Sequence, residues 1–156
     1  MLHSTSVLDL YAELRRIVEA LDAADIMYAL AGGLAVSIYT TPRATEDIDL
    51  LIARADLEHV VQTLQPVGFR PAGRPMQVAA GRMEIQRLTK IDGADLLPLD
   101  LLMPVDPSLT ALIANRASLA LEGRRVWVIG LAALRTLKRL RGSALDRADL
   151  EALGPE

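Results

Sequence analysis

Gly32-Gly33, followed after nine intervening residues by Arg43-Ala44-Thr45-Glu46-Asp47-Ile48-Asp49-Leu50-Leu51-Ile52, is the stretch from which the rest of the chain can be read. Asp47 and Asp49 stand at i and i+2 in an apolar run. On a β-strand alternate side chains share a face, so both carboxylates project together while Ile48, Leu50 and Ile52 point the other way. Two ionised carboxylates side by side repel each other unless positive charge lies between them. A divalent ion supplies it, because hard cations such as Mg²⁺ favour carboxylate oxygens and keep positions open for substrate phosphates. The glycine pair adds backbone that a phosphate can approach, between a strand and a helix N-terminus. Metal site and phosphate cradle together imply phosphoryl or nucleotidyl transfer. The plainer readings are an ordinary tight turn for Gly32-Gly33 and a solvated strand-edge pair for Asp47 and Asp49. The apolar neighbours count against the second, since lone acids are seldom tolerated in a buried strand.

A third carboxylate is available further along. Asp100 is the only charge in Leu97-Pro98-Leu99-Asp100-Leu101-Leu102. It belongs to a strand over 96–103 that pairs with one over 84–91, and Asp92-Gly93 between them is a strong hairpin signal. Asp100 either completes the metal site or sits at a hairpin edge.

Outward from these strands, apolar residues at three- and four-residue steps predict a helix over 6–23, with Ser6 and Asp9 as a capping pair. Residues 26–31 form a strand, 34–39 a helix stopped at Thr40-Thr41-Pro42, 47–53 the carboxylate strand and 56–64 a helix. The stretch 69–75 reads as a loop. Residues 106–113 open a short helix, 119–121 and 126–129 a second hairpin, and 131–140 and 146–153 two final helices. Helices and strands alternate early and hairpins follow, which predicts an α/β (α+β) domain with a mixed sheet flanked by helices. At 156 residues the chain is expected to be one domain, its core over about 6–105 and its hairpin and helices over about 106–156.

Other side chains carry weaker signals. Arg43 and Thr45 flank the entry to the carboxylate strand, as phosphate contacts or as a surface charge and a turn hydroxyl. Lys138 shares a helix with Leu134 and Arg135, and either donates to a triphosphate or is solvated. His3 and His59 lack metal-ligand spacing and read as surface residues. Ser37 has no His or Lys partner within reach in sequence, so nucleophilic catalysis has no support. Neither a Gly-x-x-x-x-Gly-Lys nor a Gly-x-Gly-x-x-Gly phosphate motif occurs, which removes the common ATPase and dinucleotide readings.

Composition narrows the class. Hydrophobic residues make up 51% but aromatics only 3%, so the core must be largely aliphatic. Cysteine is absent, which removes disulfides and thiolate metal sites and fits a reducing compartment. The opening residues lack the basic and apolar regions of a signal peptide, and no apolar run reaches the roughly 18 residues of a membrane span. A soluble cytoplasmic protein is the expectation. Net charge is −3, unevenly spread. Residues 1–67 carry 4 basic and 10 acidic side chains, residues 68–90 carry 5 against 1, and residues 116–147 carry 8 against 2. Such asymmetry suits either a basic rim for a polyanion or scattered solvated charge.

At these residues the chain resembles the nucleotidyltransferase superfamily with the polymerase-β-like fold. Ala31-Gly32-Gly33, Asp47-Ile48-Asp49 and Asp100 match its pattern in order. Within the superfamily it looks most like the AbiEii-type toxin nucleotidyltransferases, through Arg43 to Leu50, Leu99 to Leu102, and a looser tail of Val128-Ile129-Gly130, Leu134, Lys138, Asp146 and Asp149. Leu34 departs from the pattern, standing where many relatives carry Thr or Ser. The resemblance implies a Mg²⁺-dependent transfer of NMP from an NTP to an acceptor hydroxyl. Asp47, Asp49 and Asp100 would hold two ions, and Asp100 would also take the acceptor's proton. Gly32, Gly33, Arg43, Thr45 and Lys138 would bind nucleotide. It further implies RNA, especially a tRNA end, as acceptor, and a toxin paired with an antitoxin protein. A small-molecule nucleotidyltransferase such as an antibiotic-modifying enzyme, a catalytically silent nucleotide-binding module, and a glycosyltransferase using Asp-x-Asp are the alternatives.

Overall fold

A computed structural model describes residues 8–41, 45–121 and 123–155. In chain order the elements are α1 (Leu10–Ala23), β1 (Tyr28–Ala31), α2 (Gly32–Tyr39), β2 (Ile48–Ile52), α3 (Leu57–Leu64), β3 (Arg70–Pro71), β4 (Met76–Val78), β5 (Met83–Asp92), β6 (Asp95–Pro104), β7 (Arg116–Leu121), β8 (Arg124–Ile129), α4 (Leu131–Arg141) and α5 (Ala144–Leu153). The short helix expected over 106–113 is a 3-10 segment, Pro107–Ala114. The strands form one mixed sheet in the order β3-β5-β6-β2-β1-β8-β7, with β4 also pairing with β5.

β2 is the centre of that sheet. It pairs antiparallel with β1 and parallel with β6, and all five of its residues are buried. Asp47 lies just before β2 rather than inside it. The stretch expected to be a loop at 69–75 contributes the two-residue β3, and β4 follows it, both against the long β5. Register, not local propensity, makes these short pieces strands. The second hairpin is likewise longer than its apolar residues suggest, because Arg116 and Arg124 continue the ladder.

The helices form by ordinary signals. Asp9 caps α1 by accepting from the N–H groups of Tyr11 and Ala12, while Ser6 lies outside the described residues. Leu14, Ile17, Val18 and Leu21 turn one stripe of α1 into the core. Ser143 and Asp146 make a capping box at the start of α5, two residues earlier than the sequence reading begins that helix. The core is aliphatic, with Tyr28 and Phe69 its fully buried aromatics. Glu13 of α1 is buried and holds Lys90 of β5 at 2.7 Å. Lys90 is three residues from Arg87, so α1 packs on the face of β5 opposite to Arg87. Among the described residues no helix is long and apolar enough to cross a membrane.

Candidate active site

The site grows out of the register at the centre of the sheet. Asp49 of β2 sits opposite Asp100 of β6 on one side and Ala31 of β1 on the other. Across the next ladder Arg87 of β5 sits opposite Asp100. Residues paired in register share a face, so Asp49, Asp100 and Arg87 all point to the same side of the sheet. Asp47 reaches the same place from the segment leading into β2. One carboxylate oxygen from each of Asp47, Asp49 and Asp100 lies within 4.8 Å of the others.

Gly32 follows Ala31 directly and starts α2 with φ +64°. A Cβ at Gly32 would stand 1.9 Å from Oδ2 of Asp49. The first glycine of the pair therefore makes room for the Asp49 carboxylate, and its left-handed backbone turns the chain from β1 into α2. Gly33 borders a cavity of about 800 Å³ that also has Thr45, Glu46, Asp47, Asp49 and Arg87 on its wall. Arg43 lies outside the described residues.

The charges around the cavity are arranged unequally. Asp49 is almost fully buried, and burial, reinforced by Asp47 and Asp100, pushes its pKa from 3.8 up to about 7; Arg141 and Lys138 oppose this only in part. Asp100 is forked by Arg87, whose Nε and Nη2 donate to its two oxygens at 2.8 and 3.0 Å. Lys138, expected to reach for a triphosphate, also borders the cavity, but its Nζ lies 3.0 Å from Asp149 and 3.3 Å from Asp146. Both acids are on α5, so Lys138 fastens α5 to α4. Arg141, a residue to which the sequence analysis assigns no role, is exposed at the cavity wall.

Three hard oxygen donors in mutual reach, one of them the buried Asp49 beside two further acids, fit a divalent cation such as Mg²⁺. The basic stretches divide: Arg87, Lys138 and Arg141 reach the cavity wall, and others pair away from it. Arg82 pairs with Asp106, Arg124 with Asp22, and Lys90 with Glu13. Arg116 stacks on Trp127, and Arg135 donates to the carbonyls of Leu153, Gly154 and Pro155. Arg82 and Arg87, five residues apart on the sequence, are thus separated in role: Arg87 is at the carboxylates and Arg82 is not on the cavity wall.

The sequence model of the aminoglycoside-2''-adenylyltransferase family matches residues 13–152. No curated protein matches the chain. Among solved structures the fold is similar to ANT(2'')-Ia in complex with adenylyl-2''-tobramycin, at 14% identity and a TM-score of 0.63 over 92% of this chain and 86% of that one. It is similar to the lincosamide antibiotic adenylyltransferase LnuA with lincomycin bound, at 16% identity and a TM-score of 0.55 over 91% and 94%. A candidate nucleotidyltransferase of Thermotoga maritima matches at 14% identity and a TM-score of 0.58 over 88% and 90%. The mixed sheet and its flanking helices are the polymerase-β-like nucleotidyltransferase fold.

Proposed function

The chain belongs to the aminoglycoside-2''-adenylyltransferase family, and from that premise we propose that it transfers a nucleotidyl group from an NTP to a hydroxyl of a small, cationic, polyhydroxylated acceptor. The observation that carries this reading is the charge around the carboxylates. The cavity wall presents Glu46 and Asp47 beside Asp49, its basic side chains Arg87 and Lys138 are already paired with acids, and Arg82, Arg124 and Lys90 are engaged away from it. A volume of about 800 Å³ suits a nucleotide with a small acceptor. An adjoining cavity of about 300 Å³ continues past Glu46 to Asp95 and extends the acidic wall. An RNA acceptor and an antitoxin partner, implied by the AbiEii-type likeness, gain no support from this arrangement.

In the proposed mechanism Asp47, Asp49 and Asp100 would hold Mg²⁺. When bound, the ion neutralises the triphosphate and the charge that develops at the α-phosphorus. The acceptor oxygen attacks the α-phosphorus in line; the new P–O bond forms as the α–β bridge breaks and pyrophosphate leaves. The hydroxyl proton passes to the Asp100 carboxylate. Gly33, Thr45 and Arg141, all on the cavity wall, position the triphosphate, and Gly32 keeps Asp49 in place. Lys138 sets the position of α5, which forms the wall opposite the sheet.

The test is incubation with α-labelled ATP and Mg²⁺, against a panel of aminoglycosides and related amino sugars or against total RNA. Label in a small product, unchanged by Arg82→Glu, is the expected result. Label in RNA that is lost in Arg82→Glu would overturn the small-acceptor reading. Metal-dependent ATP binding with no transfer to any acceptor would leave only a nucleotide-binding module.

A further inference from the structure

Asp100 does not face the cavity as a free carboxylate. Both of its oxygens are taken by Arg87, in the planar two-point geometry that a guanidinium forms with carboxylates and phosphates. The Asp100 side chain is 12% exposed whereas that of Arg87 is 50% exposed, so the acid is fixed in the sheet and the arginine lies over it from the cavity side. The hairpin register places the two directly opposite each other, which makes the pair a built part of the ladder. Arg87 also feels the negative charge of Asp47 and Asp49. It is therefore a cation supplied by the chain itself, at the third corner of the carboxylate cluster.

We infer that Arg87 is a two-position positioning residue. In the free site it covers Asp100 and competes with a divalent ion for that carboxylate. When metal and nucleotide arrive together, the ion takes Asp100 and the guanidinium passes to the phosphates, for which its fork is equally suited. The flexible, half-exposed side chain permits the exchange, while the buried Asp100 does not move. Lys138 cannot serve the same purpose, because two buried acids on α5 already hold it. This inference rests on the reading of Asp47, Asp49 and Asp100 as metal ligands and assigns the order in which those ligands become available.

The consequence is a pair of effects of opposite sign, which a merely structural arginine would not give. Arg87→Gln is expected to tighten Mn²⁺ binding in the absence of nucleotide by about tenfold, the scale on which one close charge alters a carboxylate's cation affinity. The same variant is expected to weaken binding of a non-hydrolysable ATP analogue, also by about tenfold. Mn²⁺ binding is read by electron paramagnetic resonance and the analogue by calorimetry, with thermal melts confirming that each variant is folded. Arg87→Lys keeps the charge and loses the fork, and is expected to tighten Mn²⁺ binding as well. In an Asp100→Asn background both gains should vanish.

A gain that survives Asp100→Asn, or Arg87→Lys behaving as wild type while Arg87→Gln tightens, would show general electrostatic repulsion and overturn the inference. An unchanged nucleotide affinity in Arg87→Gln would overturn it too. Failure of the underlying metal reading looks different: wild type would bind no Mn²⁺, or Asp49→Asn would bind it equally well.

Discussion

Asp49→Asn is the substitution in which folding and function should move in opposite directions. The change keeps shape and removes a charge from the centre of the sheet. In the metal-free protein, burial and the neighbouring Asp47 and Asp100 push the Asp49 pKa from 3.8 to about 7. That gap corresponds to about 4 kcal/mol of destabilisation when the carboxylate is ionised. Below about pH 4 the folded and unfolded chains both hold the proton. Between about pH 4 and pH 7 the unfolded chain has released it and the folded chain has not, so stability is lost as pH rises, at most about 1.4 kcal/mol per pH unit. Above about pH 7 the full penalty is present. Asn escapes this dependence, at roughly 1–2 kcal/mol for burying an amide with incomplete hydrogen bonding. Urea unfolding in EDTA at pH 5 and pH 8 measures both chains. The stability of Asp49→Asn relative to wild type should rise by about 2–3 kcal/mol between the two pH values, leaving the variant the more stable at pH 8. With millimolar Mg²⁺ the order should reverse, because only wild type gains stability by binding the ion. A difference that is constant with pH, or a variant less stable at pH 8 in EDTA, would refute the argument.

Two further substitutions probe the supports of the site. Gly32→Ala forces a methyl to within 1.9 Å of the Asp49 carboxylate and puts alanine at φ +64°. It should cost about 2–4 kcal/mol in chemical unfolding and abolish Mn²⁺ binding; near-wild-type values for both would mean that Asp49 can be housed elsewhere. Lys138→Met leaves Asp146 and Asp149 buried without their shared cation and should cost about 3–5 kcal/mol at neutral pH. A stability change below about 1 kcal/mol there would return Lys138 to the role of a free phosphate contact.

Much of the site was legible because strand geometry is strict. Asp47-Ile48-Asp49 in an apolar run and Asp100 alone in another suffice to suggest that the acids meet, since a buried strand leaves few reasons for an acid, although Asp47 precedes its strand rather than lying in it. Gly32 was legible as a glycine that matters, but its reason was not, because the clash it avoids involves a residue seventeen positions away. Arg87 was missed although a signal existed. Asp92 pairs with Asp95 around the turn, and counting back along both strands brings Arg87 opposite Asp100. Lys138 shows the converse limit: local spacing placed it on a helix and near the site, but its partners lie on the next helix, beyond any periodicity. The basic stretches divide between the cavity and distant partners for the same reason. Charge counted along the sequence does not record that Arg82 and Arg124 each meet an acid 24 and 102 residues away. The short strands β3 and β4 were illegible because only their pairing with β5 defines them.

The central position of β2 gives the site parts of unequal permanence. Amides of a strand paired on both sides and buried throughout exchange with solvent only when the whole domain opens. The helix α5 is held by Lys138, by Arg135 at its C-terminal end, by a capping box and by a face that leaves Leu145 61% exposed, so it can open on its own at smaller free energy. The acids that would bear the chemistry are thus set in a slow-exchanging floor, whereas the wall facing an acceptor is a separately yielding unit. Such a division lets the outline of the chamber drift, by mutation or by breathing, toward acceptors of other sizes while the reacting geometry stays fixed.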